Sequence, residues 1–256
     1  MNNKDQEIYL GLDVSTKMIG VCLLADDGSE HGHIMELTHI NPKIPKKVKG
    51  IEQLFAKKRV FEDFIEKYKD IGIDHVIIEE PLISSNNSIT VSTLLRFNGM
   101  ISDCIYNVLG IVPDYISSYD ARKYSFPDLM SIRKYGKNEE PYPFEKILKN
   151  VKKGNVVLFG GFPWTVDKKA IIQDKVSDLF PDIQWIYDKN GNLKKENFDA
   201  TDSYVCVIGF INKTKKGELI FTTENVKVEP TLLSNKTISF DLKYWDVTEK
   251  RKIHID

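Results

Sequence analysis

Cysteine is scarce in this sequence, and no run of apolar residues is long. The three cysteines, Cys22, Cys104 and Cys206, are far apart and lie among apolar residues, which favours reduced core thiols over a disulfide framework or a zinc site. A bilayer-spanning helix needs roughly 20 apolar residues, and the first residues lack the basic and apolar regions of a signal peptide. We therefore expect a cytoplasmic protein without a membrane partner.

Net charge is also close to zero, at −1 for the whole chain, so the molecule as a whole does not attract nucleic acid. Any binding of DNA must come from local clusters. Between positions 43 and 60 only Glu52 opposes a basic run, whose members are Lys43, Lys46, Lys47, Lys49, Lys57, Lys58 and Arg59. The stretch 122–175 is basic as well. Taken alone, such runs are more often solvated surface than binding sites.

Alternating β and α patterns fill most of the chain. Apolar runs at 8–13 and 18–25 predict a hairpin, followed by a third strand at 33–37. Helical spacing over 51–68, an apolar run at 75–80, a helix ending at Gly110 and a strand at 111–117 predict alternating α/β units. Helical spacing returns at 168–179 and 198–211. The sequence thus predicts an α/β domain whose mixed five-stranded sheet is flanked by helices.

Two segments depart from this pattern. Residues 126–165 contain several prolines and basic residues and predict an insertion, with an apolar piece at 156–159. Short apolar runs at 219–221, 226–228 and 238–240 predict a β-rich extension. We therefore predict one domain over 1–212, which includes the insertion, and the extension over 213–256.

Acidic residues at the ends of apolar segments are the candidates for chemistry. Asp13 ends the first apolar run, and Glu79 and Glu80 end the central one, where successive side chains must point to opposite faces of the sheet. Asp199 and Asp202, three residues apart, share one face of a predicted helix. Each acid also has a plainer interpretation, as a turn cap, a helix cap or a partner of the helix dipole.

Together these acids indicate a metal site. An acid on the first strand, one on a central strand and a pair on a late helix can converge at one edge of a mixed sheet. Clustered carboxylates repel one another and destabilise the fold unless cations neutralise them. Oxygen ligands suit Mg²⁺, and two ions about 3.5–4 Å apart can drive phosphodiester hydrolysis. The sequence therefore predicts a site with two Mg²⁺ ions, for which Mn²⁺ would substitute.

The residues resemble the motifs of RuvC, the Holliday-junction resolvase family of the RNase H-like superfamily. The matching segments are Leu-Gly-Leu-Asp at 10–13, Ile-Gly-Val at 19–21, Ile-Ile-Glu at 77–79 and Phe-Asp-Ala-Thr-Asp at 198–202. The resemblance spans residues 8–212 and implies an RNase H-like fold. It also implies a metal-dependent endonuclease that cuts four-way DNA junctions as a homodimer. The metal-binding acids that it implies are Asp13, Glu79, Asp199 and Asp202, with Glu79 preferred to Glu80.

Further segments extend the resemblance. Asp-Lys-Lys-Ala at 167–170 is similar to the helix that brings a lysine to the scissile phosphate, which nominates Lys169 with Lys168 as its rival. Segments 86–99 and 120–122 resemble the family's helix after the second acid and its segment after the fifth strand. The residues nominated for contact with DNA are Lys46, Lys47, Lys49, Arg96, Arg122, Lys123 and Lys168.

The chain also departs from the family's pattern. Leu82 stands where bacterial members have an aromatic residue that packs at the junction. The insertion and the extension have no counterpart in the short bacterial form. These departures suggest a divergent member, for example one from a phage or another virus, which would act in the host cytoplasm.

Other interpretations compete with a junction resolvase. A nuclease for RNA–DNA hybrids or flaps would share the acids and differ in substrate geometry. A non-catalytic protein that binds branched DNA would leave the acids unexplained. Actin-like and sugar-kinase-like ATPases share a Gly-x-Asp first strand but need a second glycine-rich Asp-Gly loop, and the Phe-Gly-Gly-Phe of 159–162 lacks the acid.

Overall fold

The computed structural model describes residues 6–81, 87–126, 168–216, 227–234, 237–244 and 247–254. Leu82 and nearly all of the predicted insertion lie outside the described residues. The elements in chain order are β1 (Glu7–Val14), β2 (Ile19–Asp26), β3 (His33–Ile40), α1 (Gly50–Ile65), a 3-10 turn (Glu66–Tyr68), β4 (His75–Glu79), α2 (Ser88–Leu109), β5 (Asp114–Ile116), α3 (Ser118–Ser125), α4 (Lys168–Leu179), α5 (Glu196–Lys216), β6 (Lys227–Ser234), β7 (Thr237–Tyr244) and β8 (Val247–His254).

Strands β1 to β5 form one mixed sheet in the order β3-β2-β1-β4-β5. The pairs β1–β2 and β2–β3 are antiparallel, and the pairs β1–β4 and β4–β5 are parallel. Parallel pairing brings the carboxyl ends of β1 and β4 to the same edge, because Leu12 stands beside Ile78 in the register. The prediction of a mixed five-stranded sheet flanked by helices is confirmed.

Helices cover both faces of this sheet. Leu10 and Leu12 of β1 pack in one core with residues of α1 and α2, among them Phe61 and Phe97. Tyr9 belongs to a second core, which contains residues of α3, α4 and α5. Because side chains alternate along a strand, the odd-numbered positions of β1 face α5. Asp13 therefore lies on the α5 side of the sheet.

Local chemistry explains where several elements begin and end. Helix α2 begins after Asn87, whose side chain accepts a hydrogen bond from the Thr90 N–H at 3.1 Å, and it ends at Gly110 with a φ of 72°. The prediction that Gly110 ends this helix is confirmed. Strand β5 is shorter than the predicted 111–117, because Pro113 has no N–H to donate to a neighbouring strand.

The segment boundaries differ in detail from the predicted ones. Phe126, taken as the first residue of the insertion, is buried in the core with α5. Helix α5 continues to Lys216, past the predicted domain boundary at 212. Strands β6, β7 and β8 form a separate antiparallel sheet, which includes the predicted strand at 238–240, whereas 219–221 lies outside the described residues. The division into domain and extension stays a prediction.

Two expectations, which came from the few cysteines and from the lack of long apolar runs, can be compared with the structure. Cys22, Cys104 and Cys206 are free and buried, which confirms them as core thiols. Within the described ranges, none of the helices combines the length and apolar character needed to cross a bilayer.

Candidate active site

Two glycines allow α5 to lie directly on the sheet. A Cβ atom at Gly20 would be 1.8 Å from the carbonyl oxygen of Asp199, and one at Gly11 would be 2.4 Å from that of Ser203. Gly20 is also the register partner of Asp13. The absence of these two side chains therefore brings the first turns of α5, which carry Asp199 and Asp202, close to the end of β1.

The alternation of side chains selects one of the two adjacent glutamates. Ile77 belongs to the core on the α5 side and Ile78 to the core on the opposite side. Glu79 consequently faces α5, and Glu80 is exposed. The structure thus places Glu79, as expected from the resemblance, beside the acids of β1 and α5.

Electrostatic coupling shows how close the four carboxylates are to one another. Burial raises the pKa of Asp13 well above its usual value, and the charges of the other three acids raise it further. Burial and then the charge of Asp202 raise the pKa of Glu79 to about 7. The pKa of Asp199 is also raised, first by burial. The surroundings of these three carboxyl groups therefore disfavour their charged forms when no metal ion is bound.

Lys169 of α4 places a positive charge at this cluster. Its Nζ lies 2.7 Å from Oδ2 of Asp202 and 3.7 Å from Oδ1 of Asp199. Burial lowers the pKa of Lys169, but the charge and hydrogen bond of Asp202 outweigh that effect and the net pKa is raised. The ammonium therefore stays charged at neutral pH. The side chain of the rival Lys168 lies outside the described residues.

A buried hydrogen bond holds α4 against α5. The Thr201 hydroxyl donates to Oε1 of Gln173 at 2.7 Å, and Gln173 is fully buried. Gln173 follows Lys169 by one helical turn, so the two share a face of α4. This contact, next to Asp202 in sequence, fixes Lys169 in front of the acids.

Two residues at the site were assigned other roles from the sequence. Cys206, expected only as a core thiol, lies with its Sγ 3.8 Å from Oε2 of Glu79. Its position one helical turn after Asp202 is the signal that could have placed it there. Arg122, nominated for DNA, has a buried Nε with no hydrogen-bond partner in the described part of the chain, and its charge lowers the pKa of Glu79. Arg122 therefore faces the acids.

The remaining candidates for DNA contact lie on the surface. Lys46, Lys47 and Lys49 are exposed in the segment before α1, and Arg96 is exposed on α2. The ammonium of Lys123 lies over the ring of Tyr124 at 5.2 Å from its centroid. Contact of these side chains with DNA stays a prediction.

The donor set at the site fits Mg²⁺ by its chemistry, because it consists of carboxyl oxygens, the ligands that Mg²⁺ prefers. In the present arrangement the ammonium of Lys169 partly neutralises the carboxylates, as a bound metal ion would. No group of three or more His, Cys, Asp or Glu side chains within the described ranges is arranged to hold a metal ion. To bind a metal ion, Asp199 and Asp202 would have to turn from Lys169.

The raised pKa of Glu79 predicts a specific pH dependence in metal-free protein. Between about 4.5, the usual value, and about 7 the folded state keeps a proton that the unfolded state has released. Stability should therefore fall as pH rises through this window, by on the order of 3 kcal/mol. Urea unfolding in EDTA at several pH values should show the decline, and Glu79→Gln should lessen it. Equal pH dependence in parent and variant would contradict this assignment.

Comparison with solved structures identifies the fold. A structure of Thermus thermophilus RuvC in complex with Holliday junction substrate matches with a TM-score of 0.50 and 9% identity, covering 82% of this chain and 96% of that chain. A second T. thermophilus RuvC structure matches with a TM-score of 0.45 and 9% identity over the same shares of the two chains. The Aquifex aeolicus PPX-GPPA enzyme gives a TM-score of 0.34 with 12% identity, over 82% of this chain and 92% of that chain.

No family model matches the sequence, and no curated protein does so. With the strand order β3-β2-β1-β4-β5, the first of these structural matches shows that the protein has an RNase H-like fold. The predicted fold class is confirmed.

Proposed function

We propose that this protein is a metal-dependent endonuclease that hydrolyses phosphodiester bonds in branched DNA, with the four-way junction as its substrate. The observation that carries the proposal is the convergence of Asp13, Glu79, Asp199 and Asp202 with one lysine at the carboxyl end of β1. A structural ion pair would need one acid for Lys169. The additional, partly buried acids raise the free energy of the fold and call for a functional reason.

The side chains have separate roles in the proposed reaction. The four acids would hold two Mg²⁺ ions, which when bound activate water and stabilise the leaving oxygen. Lys169 is charged at neutral pH and would neutralise an oxygen of the scissile phosphate. The Cys206 thiol donates a hydrogen bond to the carboxylate of Glu79. Gln173 keeps Lys169 in place through Thr201.

Branched DNA is proposed as substrate on two grounds. The sequence motifs resemble those of junction resolvases, and the T. thermophilus RuvC of similar fold was solved with a Holliday junction substrate. Cutting two opposed strands requires two sites, so we propose a homodimer. Leu95 and Tyr106, which lie on one side of α2 with 44% and 56% of their surface exposed, support a subunit contact because exposed apolar surface is suited to burial. We place this activity in the cytoplasm, that of the host if the chain is viral.

The test is a cleavage assay on four-way, three-way, duplex and RNA–DNA hybrid substrates. We expect a symmetric pair of cuts in the four-way substrate with Mg²⁺ or Mn²⁺. Ca²⁺ should support binding without cleavage, because the larger ion tolerates looser geometry and positions water poorly. Cleavage of the hybrid alone would favour the alternative nuclease, and equal cleavage in EDTA would exclude a metal mechanism.

A matched pair of variants separates the site from general effects of charge. Asp13→Asn should remove cleavage, because it neutralises a carboxylate at the centre of the cluster. Asp70→Asn removes the same charge from an exposed position after the 3-10 turn and should cleave like the parent. Similar activity of the two variants would remove Asp13 from the site.

A further inference from the structure

Hydrogen bonds within the turn between β1 and β2 fix the backbone position of a lysine near the acids. The Ser15 N–H donates to the Met18 carbonyl oxygen at 2.9 Å. The Ser15 Oγ accepts from the N–H groups of Lys17 and Met18 at 3.3 and 3.0 Å. Lys17 lies exposed in this turn, which begins two residues after Asp13. Its backbone position relative to the carboxylates is therefore set by the hairpin.

A second lysine reaches the same turn from α1. The Nζ of Lys57 donates to the carbonyl oxygen of Thr16. Burial lowers the pKa of Lys57, and the positive charge of Lys17 lowers it further. Neither ammonium has a carboxylate within ion-pair distance among the described residues. The two charges consequently repel each other without local compensation.

The next lysine of α1, in contrast to Lys57, lies beside acidic side chains. Lys58 lies 3.8 Å from Glu62 and 3.6 Å from Asp103, so its charge is neutralised within the protein. Within one basic run, the fold pairs Lys58 with acids and leaves Lys57 beside another cation. Like charges held together without a counterion are unfavourable, and an external anion would relieve the repulsion.

Lys57 also lies on a different side of the sheet from Lys169. Helix α1 packs on the core that contains Leu12 and Ile19, whereas α4 packs on the opposite core with α5. The β1–β2 turn begins where β1 ends, beside Asp13. A DNA strand bound at the carboxylates would therefore contact Lys169 on the α4 side of the sheet and Lys57 on the α1 side.

We propose that Lys17 and Lys57 form a binding position for a backbone phosphate that neighbours the scissile phosphate. This inference rests on the proposed function, since it assumes that the carboxylate cluster acts on DNA. Two ammonium groups attract the single negative charge of a backbone phosphate, and contacts of this kind position the strand without reading its sequence. The site thus holds the DNA strand on the α1 side of the acids.

A structural role for Lys57 requires a separate control. The ammonium could serve only to tie α1 to the carbonyl oxygen of Thr16. Glutamine keeps a hydrogen-bond donor on a flexible side chain and removes the charge, so Lys57→Gln separates the two roles. We expect Lys17→Gln/Lys57→Gln to unfold at or above the parent's melting temperature, because it removes a repulsion.

The test measures binding of a four-way junction in Ca²⁺ between about 50 and 200 mM salt. The double variant should bind about tenfold more weakly at the lowest salt, with a salt slope reduced by about 1, because one phosphate contact is lost. The matched control is Lys69→Gln/Lys189→Gln, which removes two exposed lysines elsewhere and should keep the parental slope.

The outcomes distinguish this inference from the proposed function. If the parent cleaves junctions and the Lys17/Lys57 variant keeps the parental slope, the phosphate position is wrong and the nuclease stands. A slope reduced equally in the control variant would also overturn it, because net charge would then explain the effect. If the parent neither binds nor cleaves DNA, both the function and this inference fail.

Discussion

Asp202→Asn is expected to abolish cleavage while junction binding remains. The side chain is buried, with 4% of its surface exposed, and its Oδ2 accepts a hydrogen bond from Lys169 at 2.7 Å. Asparagine keeps the shape and an oxygen acceptor for Lys169 but cannot supply an anionic ligand. We expect a loss of at least about 100-fold in the cleavage rate, the scale on which loss of one active-site electrostatic group acts.

Melting experiments with and without Mg²⁺ complete this prediction. The variant should gain less in melting temperature from Mg²⁺ than the parent, because stabilisation by a ligand depends on its affinity for the folded state. Asp174→Asn, which removes an exposed acid of α4, should behave like the parent in both assays. Cleavage by Asp202→Asn at the parental rate would leave Asp202 with only its ion pair to Lys169.

Gly20→Ala is expected to cause the second large loss, in stability and in cleavage together. The new Cβ would lie 1.8 Å from the carbonyl oxygen and 2.3 Å from the carbonyl carbon of Asp199. Backbone atoms cannot move aside as a flexible side chain does, so α5 must shift away from the sheet. Overpacking of this kind costs about 1–3 kcal/mol or more, and the shift displaces two of the four acids.

Gly99→Ala is the matched control for this substitution. Gly99 lies in α2 and is exposed, with nothing within 4 Å of the position that a Cβ would take. Alanine is favoured over glycine in a helix by about 1 kcal/mol, so this variant should be as stable as the parent or more so. Urea unfolding compares the stability of both variants with that of the parent, and the junction assay measures the loss of cleavage by Gly20→Ala. Parental stability of Gly20→Ala would contradict the close packing of α5 on β2.

The acids of the site could be predicted because their positions follow from local rules. Side chains alternate between the two faces of a sheet, so the position of an acid in an apolar strand predicts the face on which it lies. Glu79 was distinguished from Glu80 by its place in the motif, and the alternation of Ile77 and Ile78 between two cores agrees with that choice. The helical spacing of Asp199 and Asp202 placed both on one face in the same way.

The spacing of residues in the sequence did not decide which lysine lies beside the acids. Lys168 and Lys169 are neighbours with equal chemistry, and only the packing of α4 on α5 places the second within 2.7 Å of Asp202. The basic run 43–59 was equally ambiguous. Its members Lys57 and Lys58 differ only in what the folded chain places beside them, a carbonyl oxygen near Lys17 in one case and two acids in the other.

The sequence by itself determined the five strands, the order of the elements and the acids that end them, because these depend on residues a few positions apart. Only the tertiary structure decided which groups surround those acids. Lys169 and Asp202 are 33 positions apart, Lys57 and Thr16 are 41 apart, and Glu79 and Cys206 are 127 apart. Such pairs form when helices pack on a sheet, and no local spacing of residues encodes them.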